Sequence, residues 1–268
     1  SLSTTFGLIS GIETQAVTIA FAAFGLAVFA MAYGTRRYDP ASRNDAVLFA
    51  VGFESFLKLG ALLIAGALAI SLLLGLDGKV AAGGISRLAS NFAPSAINAD
   101  FFIITLLSMT AIFCLPRQFY VTVIEAETGD DIIRARWPFL VYMLLTLLVV
   151  LPISAAGLAI LPDQSRPDLF VLQLPLSQGQ ELIALAVFIG GFSAATAMVV
   201  VETIALATMV SNDLIAPALL RNPKLAEKDD FSGLLLNARR ATIFAIMMAA
   251  LIWALAIPVN QQLASIGL

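Results

Sequence analysis

The sequence predicts an all-α protein, a polytopic bundle of membrane-spanning helices. Three observations predict it. Of the 268 residues, 60% are hydrophobic and only 12% are charged, whereas an average soluble domain carries about 25% charged residues. The apolar residues fall in long unbroken runs rich in Ala and Leu, not in the alternating pattern of a membrane strand. Ten of the 15 basic residues cluster in three of the segments between those runs. So few polar side chains cannot cover a soluble surface, which excludes a soluble enzyme and a disordered chain. A net charge of −3 without a dominant basic patch argues against nucleic acid.

A span needs about 20 apolar residues. Residues 1–10 read as the end of a helix. Complete spans are expected over 12–33, 46–76, 101–124, 138–161, 181–211 and 241–259, within one domain covering 1–268. The run 46–76 exceeds what a bilayer requires, so its first turns lie at the interface or the helix tilts. Loop 77–100 is rich in Gly, Ala and Ser and has room for a short interfacial helix. Ser1 stands where a start methionine is expected, so the chain reads as a segment of a longer one.

Basic residues set the orientation. Loop 34–45 holds Arg36, Arg37 and Arg43, and loop 125–137 holds Arg134 and Arg136. Loop 212–240 holds Arg221, Lys224, Lys228, Arg239 and Arg240. The intervening loops hold Lys79, Arg87 and Arg166 alone. The three basic loops are therefore expected in the cytoplasm.

There is no histidine, so no imidazole can act here as base, metal ligand or phosphoacceptor. The single cysteine, Cys114, allows neither an intrachain disulfide nor a thiolate cluster. No catalytic residue is expected, and no metal beyond a bound sodium ion.

Charges inside spans are costly and mark pathways or pairs. Glu54 and Lys58 stand at i, i+4 in GFESFLKLGALL, on one helix face. They form a self-neutralising pair facing protein, one snorkelling to the cytoplasmic interface, or a cation or proton site in which Lys58 sets the ionisation of Glu54. Glu202 has no charged residue within one turn. It needs a partner on another helix, a proton or a wet cavity. Arg117 is the available cation, and its pairing with Glu202 is either structural or functional.

In GGFSAATAM, residues 190–198, Gly190, Gly191, Ala194 and Ala195 allow another helix to approach closely. Ser193 and Thr196 share a face, with Thr203 near it. Their hydroxyls either coordinate a hard cation such as sodium or bond to their own backbone in a packing contact. Pro116 in FCLPRQFYV removes a helical hydrogen bond and is expected to kink span 101–124. Ser211, Asn212 and Asp213 are expected to satisfy the end of span 181–211, with Pro217 following.

Three stretches, GTRRYDPASRNDAVLFAVGFESFLKL, FCLPRQFYVTVIEAE and FSAATAMVVVETIALATMVSNDLIAPALL, together resemble the sodium/solute symporter family. The variant they resemble most is the symporter-like membrane domain fused to PAS-containing bacterial sensor histidine kinases. The resemblance implies the five-plus-five inverted-repeat transporter fold, with the six spans as core helices four to nine. It implies a sodium site near Ser193 and Thr196, although an ungapped register places Ala197 and Met198 there instead. Glu54 falls where ordinary symporters often carry an aspartate. The implied coupling ion is sodium or a proton, with no other cofactor in this segment. ATP would serve only a kinase part beyond Leu268.

The resemblance further implies a bacterial inner membrane, an amino-acid-like solute, and PAS and kinase domains of the same chain as partners, beside the lipid bilayer. Three readings stay open. The chain is the input domain of a sensor kinase, a stand-alone sodium- or proton-coupled symporter, or a membrane interaction domain without transport.

Overall fold

The computed structural model describes residues 16–34, 45–94, 98–124, 126, 128–162, 165–221 and 232–256. Among the described residues the protein is helical and contains no strand. The α-helices are α1 (Ala16–Gly34), α2 (Asp45–Gly75), α3 (Gly78–Ser90), α4 (Ala99–Cys114) and α5 (Pro116–Phe119), followed by α6 (Gly129–Ile160), α7 (Phe170–Ser177), α8 (Glu181–Met209), α9 (Ala216–Leu220) and α10 (Ser232–Ala256). Short π-helical segments at Tyr120–Ile124 and Val210–Ile215 continue α5 and α8.

Four helical stretches are long and apolar enough to cross a membrane: Leu48–Gly75, Gly129–Ile160, Glu181–Ala218 and Gly233–Ala256. Shorter apolar helices cover Ala23–Ala32 and Ala99–Thr110. Large apolar side chains such as Phe21, Phe56, Leu74 and Leu182 are exposed, as a bilayer requires and water would not tolerate.

α8 is the central element. It packs against α1, α2, α5, α7 and α10. In lipid, close packing rather than apolar burial holds helices together, and glycine allows the closest approach. A Cβ on Gly190 would meet Ala61 and the Leu57 carbonyl on α2. A Cβ on Gly66 of α2 would meet Val149 on α6, and one on Gly157 of α6 would overlap the Phe170 ring on α7. These contacts fix the register of α2, α6, α7 and α8.

Two apolar clusters lie along α8. One gathers Ala65 and Ala69 of α2, Ile153 and Ala156 of α6, Phe170, Leu172 and Leu174 of α7, and Ala184 and Val187 of α8. The other lies toward the end where the basic loops enter, the basic end. It gathers Ala30 of α1, Tyr120 of the π-helical segment after α5, Val200, Val201, Ile204, Ala205 and Ala207 of α8, and Ile243 of α10. Between the clusters, residues 191–199 of α8 are half-buried or exposed.

The structure corrects several expectations. Residues 101–124 are not one kinked helix. Leu115 is extended, with φ −72° and ψ 124°, between α4 and α5, because proline lacks an N–H and disfavours helix in the residue before it. Much of loop 125–137 is helical. α6 starts at Gly129 behind a capping box in which the Thr128 N–H donates to Asp131 Oδ2 at 2.8 Å. Loop 77–100 does hold a short helix, α3, packed on α6. A second one, α7, was not expected; it wedges Leu172 and Leu174, both almost fully buried, between the longer helices.

Ser211, Asn212 and Asp213 do not end the helix. The chain runs on through the π-helical turn to Leu220. Pro217, second in α9, lies in the turn where the wider π-helical bonding already changes the hydrogen-bond pattern. Residues 1–15, most of loop 34–45, residues 222–231 of the 212–240 loop and the end of span 241–259 beyond Ala256 lie outside the described residues.

Candidate functional site: a charged junction of three helices

Glu54 lies nine residues into α2, about 14 Å along the axis at 1.5 Å per residue. It is 5% exposed, which makes it the one charged residue among the buried described residues. Lys58, one turn further along α2, is exposed. The 40° offset between i and i+4 on a helix is enough to carry it from the seam to the outer edge. The expected Glu54–Lys58 pairing is therefore not the close one, although the two still interact electrostatically.

The close cation comes from another helix. Arg117 Nη2 lies 3.8 Å from Glu54 Oε2, with side chains 18% and 7% exposed. The break at Leu115 and Pro116 makes this possible. It restarts the chain as the short helix α5, which packs on α8 and carries Arg117 in its first turn. A separation of 3.8 Å is too long for a hydrogen bond, and Glu54 Oε2 has no hydrogen-bond partner. The pair is Coulombic only, between groups largely removed from solvent.

Arg117 also acts electrostatically on Glu202 of α8, the partner expected for it. Glu202 is half-buried and forms neither an ion pair nor a hydrogen bond with a described residue. Tyr142 of α6 feels the charge of Glu54. The one close contact of the guanidinium is with Glu54. Tyr142 was missed in the sequence because nothing in its apolar surroundings marks it; only the packing of α6 on α2 brings it there.

The candidate hydroxyl site lies at the same depth. Gly190 abuts Leu57 and Ala61 on the antiparallel α2. Ser193 and Thr196 lie three and six residues beyond Gly190, and Glu54 lies three residues beyond Leu57, in the same direction. Ser193 follows Gly190 by three residues, an offset of about 60° around α8, and is half-buried. The Thr196 hydroxyl donates to the Phe192 and Ser193 carbonyls, both at 2.9 Å. Thr203, which is buried, donates to the Val199 carbonyl at 2.7 Å. These bonds are the self-satisfied kind seen in membrane helices. The oxygen lone pairs stay available. Among the described residues no group of three or more His, Cys, Asp or Glu could hold a metal ion.

Apolar helices of spanning length around an internal charged junction define a polytopic helical membrane protein. No protein-family model, curated protein or solved structure matches the chain.

Proposed function

We propose that the chain is a transporter-like membrane input domain of a sensor histidine kinase, binding a small nutrient such as an amino acid and passing the binding event to cytoplasmic modules. On this reading the basic end faces the cytoplasm of a bacterium, and the bundle is part of a five-plus-five inverted-repeat fold. The observation that carries it is the Glu54–Arg117 contact, made by a short helix that packs on α8, the helix of Glu202. Ionisable groups on the apolar helices α2 and α8 and on the short α5 between them are costly in a bilayer, and such groups characteristically line pathways or couple movements. The broken span at Leu115, which supplies Arg117, has the backbone discontinuity that transporters use at binding sites.

The coupling ion on this reading is sodium or a proton. Ser193 and Thr196 would supply hydroxyl ligands to sodium. Glu54 would supply a carboxylate only after Arg117 leaves it, because a guanidinium at 3.8 Å opposes a second cation. Signalling follows if the solute binds two states of the bundle with different affinity.

Two observations favour a membrane interaction domain without transport: the Thr196 hydroxyl bonded to its own backbone, and Gly190 set for packing. A stand-alone symporter differs from the sensor only in lacking PAS and kinase modules in the intact protein. The test is binding and uptake of a panel of amino acids by the intact protein in proteoliposomes. Binding supports the sensor reading, and uptake shows that transport is retained. Neither, across the panel, would leave the interaction domain.

A further inference from the structure

We propose that Arg136 and Trp137, near the start of α6, bind the headgroup of an anionic phospholipid from the leaflet at the basic end, with an acyl chain along Leu140, Met143 and Leu147.

Helix length sets the depth of these residues. α6 has 32 residues, about 48 Å at 1.5 Å per residue, whereas the hydrocarbon core is about 30 Å thick. Its charged residues, Asp130, Asp131, Arg134 and Arg136, all precede Trp137, and none follows up to Ile160. The excess length therefore lies at the start of the helix. That places Arg136 in the headgroup layer and Trp137 at its boundary with the hydrocarbon, where an indole is favoured.

The guanidinium is poised for an outside anion. Residues 132–141 are all exposed, so no described element covers these turns. Arg136 forms neither an ion pair nor a hydrogen bond with a described residue. Its guanidinium lies over the Trp137 ring, 5.7 Å from the centroid. Such stacking holds the group by its face and leaves the in-plane N–H donors to fork onto a phosphate. Asp131 is occupied by the capping box with Thr128. Asp130 stands one turn before Arg134 and offsets the charge of that residue instead. Arg134 is two positions from Arg136, so the two leave opposite sides of the helix.

The surface below Arg136 favours a lipid over other anions. Leu140, Met143 and Leu147 follow it at four, seven and eleven residues, and all three are exposed. They stay within about 40° of one line along the helix. The line runs about 16 Å, close to the half-thickness of the hydrocarbon core. Cation and apolar stripe thus match an anionic head with an acyl tail. Free phosphate would use only the upper part of this surface, and a partner in the aqueous phase could not reach the stripe.

The test is native mass spectrometry of the intact protein in detergent with equimolar phosphatidylglycerol and phosphatidylcholine of the same acyl chains. Wild type should retain phosphatidylglycerol in preference by about fivefold, the effect of one arginine near a charged lipid surface. R136Q should bring the ratio to near one. R134Q removes the same charge at the same depth from the other side of the helix and should leave the ratio almost unchanged. Equal retention of the two lipids by wild type overturns the proposal and leaves Arg136 to a protein partner. An R136Q ratio equal to wild type also overturns it. A drop in R134Q as large as that in R136Q would show diffuse attraction to the whole basic end in place of a site. Loss of the preference in excess inorganic phosphate would assign Arg136 to a free anion. Each variant is first shown to elute as the wild type does; if R136Q does not, R136A carries the same prediction. The measurement involves no solute, so it succeeds or fails independently of the sensor reading.

Discussion

The two apolar clusters along α8 are built differently. At the end away from the basic loops, α2, α6 and α7 meet through glycine contacts at Gly66 and Gly157, and α7 drives Leu172 and Leu174 into the gap. At the basic end the cluster includes Tyr120 of one π-helical segment and lies beside the other, whose Ser211 is fully buried with an unbonded hydroxyl. Above it stands an ion pair without a hydrogen bond. Close packing has few alternative arrangements, whereas π-helical turns and Coulombic contacts have several. On this comparison the glycine-packed end is expected to be the fixed part of the bundle, and the basic end the part able to rearrange.

Changes at the fixed end are therefore expected to be the costliest. Gly157→Leu would drive a side chain into Phe170, and overpacking typically costs about 1–3 kcal/mol, with the top of that range expected where the Cβ alone already overlaps the ring. Thermal unfolding in nanodiscs should show a large drop or no folded protein. A near-wild-type midpoint would show that α6 and α7 are not locked together.

At the basic end, Arg117→Met leaves Glu54 buried without its cation, a loss of roughly 3 kcal/mol where the carboxyl stays charged. Adding Glu54→Leu should recover most of that loss, because apolar replacement of a buried pair is often neutral. If the double variant is no more stable than Arg117→Met, the pair does not carry the effect.

How much of this was legible in the sequence differs between the two ends. Helical class, the long apolar helices and the close approach at Gly190 follow from composition and small-residue spacing, which are local properties. The break at Leu115 was half legible: Pro116 announced a disruption, but a bend and an interruption look alike in sequence. The partner of Glu54 was not legible. Lys58 was the nearest cation along the chain, but a 40° offset exposes it, and Arg117, 63 positions away, reaches Glu54 only because α5 restarts the helix. The Ser193 and Thr196 hydroxyls were identified as candidates, and the structure sets them at the depth of Glu54 with Thr196 bonded to its own backbone.

The smaller predictions sharpen that last point. Ser193→Ala with Thr196→Ala should change the free energy of unfolding by less than about 1 kcal/mol, since the Thr196 bond is local. In the intact protein the same variant should weaken sodium-dependent solute binding. Unchanged sodium dependence would remove both residues from a cation site. Lys58→Met should leave the midpoint unchanged, because Lys58 is exposed and Arg117 is the close partner of Glu54. A drop comparable to that of Arg117→Met would reverse this assignment.

The most direct test is hydrogen–deuterium exchange on the intact protein in nanodiscs, with and without a mixture of amino acids. Solute binding should change exchange in Tyr120–Ile124 and Val210–Ile215 and leave 153–157 and 172–175 as they were. No change anywhere, or change confined to the glycine-packed end, would contradict the account.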